Sequence, residues 1–197
     1  AAQGQGYRLE QIAVLVRVYA QTPPVEQALM AINLPYLVEG DVPFYQRSEV
    51  QTLIDYCRLA FTEKQLLAGE TVGAEQLRQL ESSWRQVYWQ PKRYLSRDLS
   101  QKILDYVLKT RTPLSDTLRL LATEARPKVA ERMHALADDL LWLIAALPGG
   151  ARATWPAARV LTELEQRLGY RHFLEEESGF AESGIAKADT VTAFLEY

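Results

Sequence analysis

The residues best suited to chemistry lie between Arg85 and Arg111. Seven basic side chains, Arg85, Lys92, Arg93, Arg97, Lys102, Lys109 and Arg111, are set there against only Asp98 and Asp105. That is a local net charge of +5 in a chain whose 22 Lys and Arg and 25 Asp and Glu leave −3 overall. Trp84, Tyr88, Trp89 and Tyr94 interleave with these charges. Cations supply phosphate contacts and aromatic rings supply stacking surfaces, so the composition suits nucleic acid. A second reading stays open. Trp84 and Tyr88, four apart, can be core residues on one helix face with the arginines solvated around them. The basic stretch can also dock on the chain's own C-terminus, where residues 163–197 hold eight acids and three bases.

Other chemistry finds less support. His134 and His172 are far apart and there are no cysteine pairs, so no metal site is expected. Nothing supports a Ser-His-Asp triad. Cys57 falls on an apolar helical stripe and reads as a small buried hydrophobe. His134, beside the stripe Val129, Met133, Leu136, Ala137 and Leu140, reads as a surface residue. The carboxylates Asp138-Asp139 and Glu175 to Glu177 are adjacent, do not converge on one point, and read as solvated faces. No GxxxxGK-S/T loop occurs and none of the ten glycines precedes a lysine, so the chain is not expected to hydrolyse ATP or to hold a cofactor. A lone cysteine and no secretory leader at Ala1 to Gly6 fit a reducing, cytoplasmic compartment. The longest apolar runs, Ile12 to Val16 and Leu140 to Leu147, are too short for the roughly 20 residues of a membrane span.

The elements that must position the basic stretch are mostly helices. Ile12 to Val18, IAVLVRV, reads as a strand buried on both faces of a parallel sheet. Pro23 and Pro24 open a helix to about Ile32, and Leu34 to Val38 returns as a second strand. This β-α-β beginning is not continued. After Gly40, Ser48 is the expected cap of a helix, with Gln51 reaching back, and Val50, Leu53, Ile54, Cys57 and Phe61 form its core stripe. Further helices are expected at about 74–87, 96–109, 113–125, 127–147, 156–169 and 185 to the end. Thr112 and Thr154 are the expected caps, and Gly149-Gly150 and Gly169 the stops. The fold class is therefore mainly α, preceded by a short β-α-β strip. A doubly wound sheet needs more than two strands, so residues 1–39 read as a severed part of a larger α/β domain and residues 40–197 as a helical insertion. Strand Ile12 to Val18, without its sheet neighbours, is expected to self-associate or to stay poorly protected.

Two segments carry a family resemblance. IAVLVRVYAQTPPVEQAL (Ile12 to Leu29) and LPYLVEGDVPFYQRSEVQTLIDYCRL (Leu34 to Leu59) resemble the UvrD/Rep-type superfamily-one DNA helicases, whose patterns are IAVLYRxNAQSRxxEExL and xPYxVxGGxxFFxRxEIKDxxAYLRL. Pro91 to Arg93 is similar to the family's PxRGIG, and LGYRHFLEEE (Leu168 to Glu177) to its SGYxxxLxxE. The resemblance implies that residues 1–39 are a strip of the second RecA-like motor domain, 2A, and that Gly40, the expected hinge, opens the helical subdomain 2B.

In such helicases the motors grip single-stranded DNA, hydrolyse ATP with magnesium and step 3' to 5', while 2B rotates, contacts duplex and can inhibit the motor. ATP and magnesium would be bound by the parent protein outside this chain. Arg17 would contact the single strand, although Tyr19 replaces its usual Asn companion and Thr22-Pro23 replaces Ser-Arg. Tyr94-Leu95-Ser96 replaces the Gly-Ile-Gly whose backbone approaches a duplex phosphate. Lys92, Arg93 and the Ser96 hydroxyl at a helix start compensate, and Arg97 and Lys102 extend the expected DNA-binding set. The implied partners are a single-strand/duplex junction, the rest of the motor and repair proteins. Two rival roles remain: an autoinhibitory or protein-docking module, and part of a helicase-nuclease subunit.

Overall fold

A computed structural model describes residues 7–17, 21–40, 42–177 and 181–196. The chain divides into two compact units, Ala1–Phe44 and Tyr45–Tyr197. Among the described residues the regular structure is entirely helical, and no helix is long and apolar enough to cross a membrane.

The first unit holds helix α1, Thr22–Ala31, which opens on Pro23 and Pro24 as expected. The two expected strands are not formed. Ile12 has extended torsions (φ −108°, ψ 126°), and Leu34 to Val38 alternates half-buried with exposed side chains, yet neither segment carries a ladder. The physical reason is the one that makes a strand a collective object: its backbone groups need a neighbour, and these two segments do not pair with each other. Val14 and Leu15 are consequently exposed, Leu15 at 94%. Val18 and Tyr19 lie outside the described residues. Tyr36 donates its hydroxyl to Glu26 Oε2 at 3.0 Å, tying the segment after α1 back to that helix.

The second unit contains α2 (Ser48–Leu67), α3 (Ala74–Val87), α4 (Arg97–Thr110), α5 (Leu114–Ala122), α6 (Pro127–Ile144), α7 (Ala157–Leu168), α8 (Tyr170–Glu177) and α9 (Ala181–Glu196). Helix α2 is the central element and packs on α3, α6, α7 and α9, while α5 pairs with α6 and α8 with α9. Its buried face is Val50, Leu53, Tyr56, Leu59, Ala60 and Leu66, rotated from the expected stripe. Ile54 and Cys57 lie at the edge of that face and Phe61 is exposed. A helix with neighbours on several sides buries a face wider than one apolar stripe, and its hydroxyls and carboxylates are used there too.

The caps differ from expectation for the same reason. Arg47, not Ser48, is the N-cap of α2, and Gln51 Nε2 donates to the Tyr45 carbonyl instead of closing a capping box. Thr112 does not cap α5. Glu63, fully buried on α2, accepts from Leu114 N at 2.6 Å and Ser115 N at 2.7 Å. Nor does Thr154 cap α7, whose N-cap is Pro156. Gly169 does stop α7, in the left-handed region at φ +59°, and the chain restarts at once as α8, an element the sequence had not suggested.

Candidate nucleic-acid interface

The segment joining α3 to α4, residues 88–96, alternates between the interior and solvent. Gln90, Arg93 and Leu95 are buried, whereas Trp89, Lys92, Tyr94 and Ser96 are exposed. A buried polar network fixes the inward residues. Tyr56 donates its hydroxyl to the Gln90 carbonyl at 2.6 Å, and Tyr170 donates to Gln90 Oε1 at 3.0 Å. Arg93 Nη2 donates to the Tyr56 hydroxyl at 2.6 Å and reaches Asp139 Oδ2 at 3.5 Å, and Arg167 Nη2 reaches Asp139 Oδ1 at 3.3 Å. Burial pushes the Asp139 carboxyl above the usual carboxylate range, and the two guanidinium groups pull it back. Burial also raises the Tyr56 hydroxyl. Hydrogen bonds from Tyr56, Tyr170 and Arg93 thus anchor residues 88–96 to the interior, although Arg93 Nε is buried without a partner.

Two expectations are corrected here. Arg93 is only 4% exposed and spends its guanidinium on Tyr56 and Asp139, so it is not presented to a phosphate. Asp139 is likewise no solvated carboxylate: it is the buried bridge between Arg93 and Arg167, while Asp138 pairs with Arg119 at the surface at 2.8 Å. Trp84 and Tyr88 follow the core reading. Trp84 is 1% exposed with Nε1 donating to the Ser100 carbonyl, and its ring lies 6.1 Å from that of Tyr88. The aromatic rings offered to solvent are Trp89 and Tyr94.

Tyr94 organises the outer surface. Its φ of +58° is the left-handed conformation that a glycine adopts without steric cost. The backbone therefore keeps a glycine-like turn despite the larger side chain. The exposed ring has Lys92 Nζ at 5.8 Å and Lys128 Nζ at 5.0 Å from its centroid, two cation–π contacts to one ring. Lys128, in the first turn of α6, was not in the expected set; it lies thirty-six residues beyond Lys92 in the sequence, and no local pattern links the two. Next to this pair, Ser96 caps α4 by accepting from Leu99 N at 3.2 Å.

The remaining expected residues are spread out. Arg97 is exposed on the first turn of α4 and lines a recess with Trp84, Arg85 and Tyr88. Lys102 pairs with Glu124 at 3.0 Å and lines a shallow groove with Asp98 and Asp105, a neighbourhood of mixed charge. Arg17 is exposed in the first unit, with its backbone N–H donated to Gln21 Oε1. Gly40 has a positive φ of +87°. Among the described residues no three His, Cys, Asp or Glu side chains converge on a metal position. Burial pushes the Cys57 thiol up to about 11, which suits packing rather than nucleophilic attack.

The model of the UvrD-like helicase C-terminal domain matches residues 1–169. The chain belongs to this family. Among curated proteins it is similar to the ATP-dependent DNA helicase PcrA of Staphylococcus epidermidis, at 23% identity over 176 residues, covering 89% of this chain and 21% of that protein. The PcrA helicase of Staphylococcus aureus is 25% identical over 184 residues, covering 89% of this chain and 22% of that protein. The chain thus spans about a fifth of the length of these relatives. It is part of a UvrD-like superfamily-one helicase, from the C-terminal domain region.

Proposed function

We propose that residues 40–197 are the 2B-type, duplex-contacting and regulatory region of an ATP-dependent 3' to 5' DNA helicase or translocase acting in repair or replication, and that residues 1–39 are a strip of its 2A motor domain. The observation that carries this reading is the Lys92–Tyr94–Lys128 cluster on a platform fixed from within, at the position where the resembled family has PxRGIG. Two ammonium groups near one exposed ring, beside the N-terminus of α4 capped by Ser96, offer cationic contacts to phosphate. Arg97 adds charge at its margin, and Arg17 is assigned to the single strand in the first unit.

The chain's own residues do not fit a nucleotide: no glycine precedes a lysine. ATP and magnesium are accordingly assigned to the parent protein. Gly40 is the proposed hinge, its positive φ supporting a sharp change of direction. Exposed Val14, Leu15 and Leu37 suit docking with the rest of the motor domains. The proposed location is the bacterial cytoplasm, at the nucleoid.

Fluorescence-anisotropy titration of a forked duplex tests the proposal. The 197-residue chain should bind, and its Lys92→Ala/Lys128→Ala variant should bind about tenfold more weakly at 0.1 M salt. Equal binding by both would shift the assignment to a docking or autoinhibitory surface.

A further inference from the structure

A second cluster in the same unit lies on the far side of the Asp139 bridge from residues 88–96 in the chain of contacts. Trp142, near the C-terminal end of α6, and Trp155, just before α7, meet edge to face at 6.4 Å and 68°. Three guanidinium groups lie on these two rings. Arg152 Cζ is 5.2 Å from the Trp142 centroid and 5.7 Å from that of Trp155. Arg159 Cζ is 3.8 Å from Trp155, and Arg167 Cζ is 5.1 Å from Trp142. Each guanidinium is thus within cation–π reach of an indole.

The intervening loop is built to bring Arg152 back onto α6. Its N–H donates to the Ala145 carbonyl at 2.6 Å, and a Cβ on Gly150 would stand 2.4 Å from that same oxygen. Only glycine allows the close pass. Arg152 Nη1 then donates to the Trp142 carbonyl at 3.4 Å.

The three arginines are not equivalent. Arg167 is paired with Asp139, whose carboxylate it shares with Arg93. Among the described residues neither Arg152 nor Arg159 is in an ion pair, and Arg159 is exposed. Two guanidinium groups without a carboxylate partner among the described residues suit an anion with paired oxygens.

Position selects the occupant. Trp142 follows Lys128 on α6 by fourteen positions, close to four full turns, so both project from the same side of the helix about 21 Å apart. The arginine row is also joined to residues 88–96 through Arg167, Asp139 and Arg93. Cations near both ends of one helix suit a linear polyanion, the rise from Lys128 to Trp142 corresponding to about six base pairs at 3.4 Å each. The rings of Trp142 and Trp155 already carry guanidinium groups, so the row reads phosphates and not bases.

We propose that Arg152 and Arg159, stacked on Trp142 and Trp155, form a second DNA phosphate site that holds the same nucleic acid as Lys92 and Lys128; the inference rests on the DNA-binding reading above. It is tested by anisotropy with a labelled forked duplex over a salt series, using wild type, Arg152→Gln/Arg159→Gln, Arg152→Lys/Arg159→Lys, and Lys92→Ala/Lys128→Ala. Arg159→Gln alone, at an exposed position, serves as the variant whose folding is not at issue. The expected result is about tenfold weaker binding by the double glutamine variant, a salt slope lower by roughly 1.8, and recovery of most of that slope by the lysine pair. Arg159→Gln alone should lower the slope by roughly 0.9.

Unchanged affinity and slope in the glutamine variants, with binding lost in Lys92→Ala/Lys128→Ala, would overturn this inference alone. Loss in the glutamine variants with Lys92→Ala/Lys128→Ala unaffected would support the row and remove the first site. Absence of DNA binding by wild type, or binding of polyglutamate in place of DNA through these arginines, would overturn both.

Discussion

Arg93 carries a charge into the interior of the second unit, where Tyr56 and Asp139 receive it. Removing one partner of a buried pair leaves the other charge uncompensated, which costs about 3 kcal/mol. Arg93→Ala should therefore lower the melting temperature by roughly 6–12 °C while leaving the salt slope of DNA binding unchanged below the transition. Calorimetry and anisotropy on one preparation check both halves. Cys57 gives a second test at this scale. With its thiol at about 11, it should react with a disulfide probe at pH 8 roughly 100-fold more slowly in the native protein than in denaturant. The basic and aromatic composition of residues 84–111 was legible in the sequence, and so was the core placement of Trp84. The side to which Arg93 points was not. A lysine and an arginine next to each other look alike in sequence, and only Tyr56 from α2 and Asp139 from α6 make Arg93 internal and leave Lys92 outside.

At the scale of elements, the N-terminus of α5 depends on a carboxylate from another helix. Burial pushes the Glu63 carboxyl above its ordinary value, opposed by the hydrogen bonds from Ser115 and Leu114. A raised native value means that the unfolded chain ionises first, so the stability Glu63 contributes is greatest below its unfolded pKa and falls as pH rises through the native one. The melting temperature of wild type should thus fall relative to that of Glu63→Gln between pH 4 and pH 8, as thermal scans would show. A parallel dependence in the two proteins would contradict the assignment. Helix α3 runs over Ala74–Val87 as its periodicity indicated, because its apolar stripe is narrow and its surroundings one-sided. The cap of α5 was not legible, since Glu63 and Leu114 are fifty-one residues apart. Helix α8 was missed because Gly169 reads as a stop, although the left-handed turn it permits ends one helix and starts another.

At the scale of the molecule, the mainly helical character was legible. The fate of the two strand-like runs near the N-terminus was not: both were read as strands and neither is one, because a strand is decided by its neighbours and not by its own residues. The second unit instead presents cations at both ends of α6, Lys128 beside Tyr94 and Arg152 beside Trp142, on a framework cross-linked by Asp139. The central claim is that residues 88–96 present phosphate contacts. The most direct measurement is the slope of log K against log salt for a forked duplex, compared between wild type and Lys92→Ala/Lys128→Ala at matched melting temperatures. Two lost phosphate contacts predict a slope shallower by roughly 1.8; an unchanged slope would contradict the account.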